Sequence, residues 1–139
     1  MNYLLDTCVI SELVARQPNR QVVEWIDSVE EERLYLSVIT IGEIRKGIEK
    51  LPDSERKTVL EEWLHNYLLV RFGGRIAGID TGVMLRWGQL TGDLETRGKK
   101  MSAVDSLIAA VALHGNFALV TRNEEDFKCS GVSIVNPWK

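Results

Sequence analysis

Cysteine is scarce. Only Cys8 and Cys129 occur among 139 residues, so neither a disulfide framework nor a four-cysteine zinc site is available, and the chain reads as a reduced, cytoplasmic protein. Histidine is equally sparse: His65 and His114 stand alone, and no histidine pair offers zinc a site. Long hydrophobic runs are missing. No stretch approaches the roughly 18 apolar residues of a membrane span, so no membrane association is expected. The N-terminal run MNYLLDTCVISELVAR has no basic leader, and Asp6 and Glu12 interrupt its apolar residues, which argues against a secretory signal. Repeats, low-complexity tracts and flexible linkers are absent. So is a strong charge of one sign: 17 basic against 20 acidic residues give a net charge of −3. That balance excludes a generally basic nucleic-acid coat, though not a protein that handles nucleic acid through metal-bound carboxylates.

What is present suits a packed fold. Hydrophobic residues make up 45% of the chain and charged residues 27%, enough apolar material for a core. The length fits a single domain spanning 1–139. Short apolar runs predict strands at 3–5, 34–36, 76–79, 117–120 and 132–135. Apolar residues spaced by three and four predict helices at 7–15, 19–32, 40–51, 54–70, 82–97 and 102–114. Pro18, Pro52 and Pro137 fall between apolar segments, where they can start helices or end strands. Strands alternating with helices point to a parallel sheet covered on both faces. Sites in such sheets collect beyond the carboxyl ends of the strands.

Four acids sit where a strand would end or a helix begin. Asp6 closes the first strand, Glu43 lies one turn after Thr40, Asp105 one turn after Ser102, and Asp126 in Thr121-Arg122-Asn123-Glu124-Glu125-Asp126-Phe127. Each alone has an ordinary reading. Asp6 can cap a helix; Thr40-x-x-Glu43 and Ser102-x-x-Asp105 fit the capping box; Asp126 can be a solvated turn residue. Together they read differently, because the sheet rule gathers them at one edge. Two unit charges about 4 Å apart repel by about 4 kcal/mol at an effective dielectric near 20, and a cation would offset that cost. Oxygen-only donors suit Mg²⁺ or Mn²⁺. Asp80-Thr81 repeats the Asp6-Thr7 dipeptide and reads either as a helix cap or as an outer acid.

Four segments carry a resemblance: Tyr3-Leu4-Leu5-Asp6-Thr7-Cys8-Val9-Ile10-Ser11-Glu12, Ser37-Val38-Ile39-Thr40-Ile41-Gly42-Glu43-Ile44-Arg45-Lys46-Gly47, Ala103-Val104-Asp105-Ser106-Leu107-Ile108-Ala109-Ala110 and Val120-Thr121-Arg122-Asn123-Glu124-Glu125-Asp126-Phe127. In this order they resemble the PIN-domain ribonucleases, in particular the VapC and FitB-like toxins of toxin–antitoxin pairs. The closing Asn136-Pro137-Trp138 is also similar to FitB-type members. The resemblance implies a three-layer α/β/α sandwich with a mainly parallel five-stranded sheet. It also implies a Mg²⁺- or Mn²⁺-dependent endoribonuclease, a homodimer, and neutralisation by a cognate VapB- or FitA-like antitoxin. It casts Asp6 and Asp105 as the central metal ligands, with Glu43 completing an acidic triad and Asp126 or Asn123 supplying the fourth group. Some relatives carry aspartate where this chain has Asn123, and we favour Asp126 as the fourth acid. Where the family commonly shows asparagine, this chain has Cys8, whose pKa should rise beside carboxylates, so that it packs rather than attacks.

On this reading Thr7 and Ser102 aim the carboxylates, with Asn123 beside them, and bound metal activates water against an RNA phosphodiester. Without the four acids the remaining formal charge is +1, so RNA must be held locally. Arg45, Lys46, Lys99, Lys100 and Arg122 are the candidates, with an ordinary solvated face as the alternative. Trp25 and Trp63 fit core stripes, whereas Trp87 and Trp138 suit a dimer or partner surface. The rival classes are a non-catalytic RNA- or protein-binding module on the same fold and a Mg²⁺-dependent phosphoacceptor domain. The latter would need a paired acid beside the first strand, and Asp6 stands alone.

Overall fold

A computed structural model describes residues 1–139. Strand β1 (Tyr3–Leu5) leads into α1 (Thr7–Val14) and α2 (Arg20–Ser28). Then come β2 (Leu34–Ser37), α3 (Val38–Glu49) and α4 (Glu55–Trp63), which runs through a π turn at Leu64–Leu68 into the short α5 (Leu69–Arg71). β3 (Ile76–Ala77), α6 (Thr81–Thr96), α7 (Ala103–His114), β4 (Ala118–Val120), α8 (Glu124–Phe127) and β5 (Ile134–Val135) complete the chain. The five strands lie in the order β3-β2-β1-β4-β5, and every pairing is parallel. Helices cover both faces, giving the α/β/α layering.

Alternation along the strands divides the core. In β1, Leu4 joins one buried cluster and Leu5 the other; in β4, Leu119 and Val120 divide the same way. α1 to α5 pack on the face that carries Leu5 and Val120, and α6 and α7 on the face that carries Leu4 and Leu119. The π turn has a packing reason. Leu60, Leu64, Leu68 and Phe72 are all buried at steps of four. In a regular helix of 3.6 residues per turn, each such step drifts by roughly 40°, and a wider turn brings the row back to the core. Small residues let α7 sit close: Ala109, Ala110 and Ala112 are buried against the sheet.

Several sequence expectations need correction. The helix predicted at 19–32 stops at Ser28, and Glu31–Arg33 forms a single 3₁₀ turn. α3 starts at Val38, not Thr40: the Ser37 hydroxyl caps it, accepting from the Thr40 N–H at 3.1 Å. Asp126 lies in the four-residue α8, too short to show a helical period. Asp80 needs no correction: of its two readings the structure has the helix cap, its carboxylate accepting from the Val83 N–H at the start of α6. Trp87 and Trp138 are packed within the chain; the Trp87 Nε1–H donates to Ser106 Oγ at 2.9 Å, and Trp138 packs on the first cluster.

Candidate active site

The strand order reverses direction at β1, which has β2 on one side and β4 on the other. The crevice outside such a switch point is where α/β sheets place ligands. Asp6 stands there. Its N–H donates to the Val120 carbonyl at 2.9 Å, continuing the β1–β4 ladder by one residue. Its carboxylate is then fixed at both oxygens: Oδ1 accepts from the Thr7 N–H at 2.8 Å, and Oδ2 accepts from the Thr121 hydroxyl at 2.8 Å. Asp6 is only 6% exposed, so its two hydrogen bonds carry most of the solvation that burial removes. It serves at once as the cap of α1 and as an acid facing the crevice.

Glu43 comes from the second turn of α3 and is held by a line of hydroxyls. Thr7 Oγ1 donates to Glu43 Oε1 at 2.5 Å and lies 3.2 Å from Thr40 Oγ1, which accepts from Ser37 Oγ at 3.3 Å. Thr7 Oγ1 is the donor in both contacts, and a hydroxyl has one proton, so the short bond to Glu43 is the stronger and the contact with Thr40 the weaker. Asp105 enters from the first turn of α7, whose cap Ser102 accepts from the Asp105 N–H at 3.1 Å. Asp126 lies in α8, its N–H bonding the Asn123 carbonyl at 3.1 Å, and its charge is felt by Asp105.

The charges of these acids reach one another through Asp6 and Asp105. Burial pushes the Asp6 carboxyl above its ordinary value; the Thr121 and Thr7 hydrogen bonds oppose that rise, and the charges of Glu43 and Asp105 add to it. Asp105 is also raised, first by burial, against the Ser102 hydroxyl, and then by Asp126 and Glu43. No ion pair of the chain includes any of the four acids. The carboxylates repel one another and do not close into a ready-made cluster of three ligands. The donors are all oxygen, and their charge is uncompensated by the chain. That set suits a hard divalent cation with open coordination positions for water and phosphate.

The remaining site candidates separate. Asn123 is exposed, and its N–H donates to Thr121 Oγ1 at 3.1 Å, so it buttresses the threonine through its backbone. Arg122 lies over the Trp138 ring at 5.4 Å and borders a polar depression with Asn123 and Asp126. Lys46 borders a depression beside Glu43. Arg45 is tied to Glu49 at 2.7 Å, which makes it the least available cation of the group. Lys99 and Lys100 flank a separate hollow beside Trp87. Cys8 lies 3.9 Å from Asp6 Oδ2 and 3.6 Å from Thr121 Oγ1; burial, with the Asp6 charge behind it, pushes its thiol up, away from the reactive thiolate. Sequence reasoning missed Thr121 and the Ser37–Thr40 relay. The available signal was their place: each follows or ends a strand bordering β1.

Comparison with known proteins gives a consistent answer. Residues 3–129 match the family model of the PIN domain. Toxin FitB of Neisseria gonorrhoeae is 41% identical over 135 residues, covering 97% of each chain. VapC ribonuclease Y4jK of Sinorhizobium fredii is 37% identical over 136 residues, covering 98% of this chain and 97% of its own. The crystal structure of FitAcB from Neisseria gonorrhoeae superposes with a TM-score of 0.93 at 40% identity over 98% of both chains.

Proposed function

The chain belongs to the PIN-domain family, and from that premise we propose that it is a metal-dependent endoribonuclease toxin neutralised by a cognate VapB- or FitA-like antitoxin. One observation supports the proposal: Asp6, at the carboxyl end of β1, feels the charges of Glu43 and Asp105, Asp105 feels those of Asp126 and Glu43, and no ion pair of the chain includes any of the four. Relatives named as a toxin and as a ribonuclease cover nearly the whole chain. No helix is long and apolar enough to cross a membrane, and the reading places the protein in the cytoplasm, as a homodimer when free.

Asp6 and Asp105 would hold the principal Mg²⁺ or Mn²⁺, and Asp126 would support a second ion that arrives with substrate. When bound, such a cation lowers the pKa of water and neutralises charge on the phosphoryl oxygens. The chain's own residues do the rest. The Thr121 hydroxyl and the Thr7 N–H stop the Asp6 carboxylate from turning. Thr7 occupies Oε1 of Glu43, leaving Oε2 to orient the attacking water and take its proton. Ser102 settles the first turn of α7, and with it Asp105. Arg122, steadied on Trp138, and Lys46, beside Glu43, would meet phosphates of the RNA; such contacts weaken as salt rises.

The test is purified protein with single-stranded RNA, a Mg²⁺ or Mn²⁺ titration, and mapping of fragment 5′ ends. Cleavage is expected with metal and lost with EDTA or Asp6→Ala. Growth arrest on expression should be relieved by the antitoxin. Cutting that survives EDTA or Asp6→Ala removes the mechanism.

A further inference from the structure

Glu43 stands on a ridge between two depressions. On one side a cavity of about 270 Å³ opens among α1, α3 and α4, with Thr7, Ser11, Ile48, Leu51, Arg56 and Trp63 in its wall. On the other side a shallower depression of about 450 Å³ carries Lys46 and Lys50. Glu43 and Gly47 border both, so whatever fills the cavity lies beside the acids.

Two observations mark the cavity as shaped for something outside the chain. Gly47 is an exposed residue inside α3, and a Cβ there would meet nothing within 4 Å. Glycine destabilises a helix interior relative to alanine, and neither a positive φ nor a close neighbour calls for it here. What its missing side chain does is keep the ridge low between the two depressions. Arg56, at the cavity's edge, enters no ion pair, so its charge is free to meet an anion. The occupant must therefore be part apolar, to lie against Ile48, Leu51 and the half-buried Trp63, and part anionic. A nucleotide has both parts, and single-stranded RNA is read by splayed bases packed on aromatic side chains.

We propose that this cavity is a nucleobase subsite. An unpaired base next to the scissile phosphate crosses the ridge at Gly47 and packs on Trp63. Its flanking phosphates meet Arg56 on one side and Lys46 with Lys50 on the other. The assignment rests on the ribonuclease reading, since it shares Thr7 and Glu43 with the acidic crevice, and it names the group that sets the preferred cleavage sequence.

The test fills the cavity without disturbing the core. Gly47→Leu puts a side chain on an open helix position and should fold at least as well as wild type, checked by a thermal melt. RNA carrying 4-thiouridine around a mapped cleavage site is irradiated with the protein in EDTA, and the cross-linked peptide is identified by mass spectrometry. We expect wild type to cross-link within the segment that holds Trp63, and Gly47→Leu to lose that cross-link. With metal restored, the variant's KM for RNA should rise about tenfold or more, the loss expected when one stacked base is displaced, and its preference among cleavage sites should relax. Trp63→Phe should give a smaller change in the same direction. Wild-type cross-links that map elsewhere overturn the subsite, as does a Gly47→Leu protein with unchanged KM and cleavage sites. If that variant cuts RNA normally but no longer retains the antitoxin, the cavity belongs to the protein partner and the proposal fails. Wild type that neither binds nor cuts RNA at any metal concentration defeats the ribonuclease reading itself, a distinct result.

Discussion

At the amino end of β2, Glu31 is gripped by two arginines, Arg71 at 2.9 Å and Arg75 at 2.8 Å. Arg75 also donates to the carbonyls of Glu31, Leu34 and Arg71 and lies over the Phe72 ring. The hydrogen bond from Arg71, above all, holds the Glu31 carboxyl below its ordinary value of 4.5. At the carboxyl end of the sheet the treatment is reversed. Asp6 is more deeply buried than Glu31, and it faces Glu43 and Asp105 with no cation of the chain, so its pKa moves up. The same fold therefore pairs an acid where it serves stability and leaves acids unpaired at the crevice proposed to hold a cation. The first arrangement spends arginines on holding β2, β3 and α5 together; the second stores repulsion that only a ligand relieves.

The contrast can be broken most sharply at the crevice. Asp6→Asn or Asp105→Asn should cut RNA cleavage by about 100-fold or more, since a metal ligand is lost. In EDTA both variants should melt no lower than wild type, because a repelling charge has gone. A large fall in melting temperature would contradict the reading of those acids as a functional cost. Arg75→Met should do the opposite. It takes a donor from three backbone carbonyls, of which that of Glu31 keeps the Leu34 N–H, and should cost about 2–3 kcal/mol in urea unfolding, with the specific activity of the folded fraction unchanged.

Finer tests follow. Thr121→Val removes the hydroxyl that pins Asp6 and should weaken metal activation by about 10–100-fold, with cleavage partly restored at higher Mn²⁺. The smallest effect is in pH. The Glu31 pair stabilises the protein fully above the unfolded pKa of that carboxyl and loses its contribution as pH falls through the lower folded value. The stability difference between wild type and Glu31→Gln should shrink on going from pH 7 to about pH 4 and stay under about 1 kcal/mol throughout, as befits an exposed, screened pair. Asp6 and Asp105 run the other way. Their raised pKa values make the folded state favour the proton, so in EDTA their destabilising effect is largest at neutral pH and eases with acidification.

The alternation of short apolar runs with helical periods made the parallel sheet legible, and with it the rule that sends Asp6, Glu43 and Asp105 to one edge. What the sequence hides is which hydroxyl does which task. Ser37 and Thr40 both precede α3, and either could cap it; only packing decides that Ser37 takes the cap and leaves Thr40 to face Thr7. Thr121 looks like any polar residue after a strand, and its bond to Asp6 exists only because β4 lies beside β1. Trp87 and Trp138 were assigned to outer surfaces because nothing local reveals that Ser106 and the first core cluster await them. Arg45 shows the same limit: its neighbourhood of Glu43 in sequence does not announce that Glu49 claims it.

The bond between Thr121 and Asp6 spans 115 positions of sequence. β1 is an inner strand, and its β4 neighbour is made long after it. A nascent chain thus carries Asp6 and Glu43 well before the residue that pins Asp6, and its crevice closes only once β4 and Thr121 have been made.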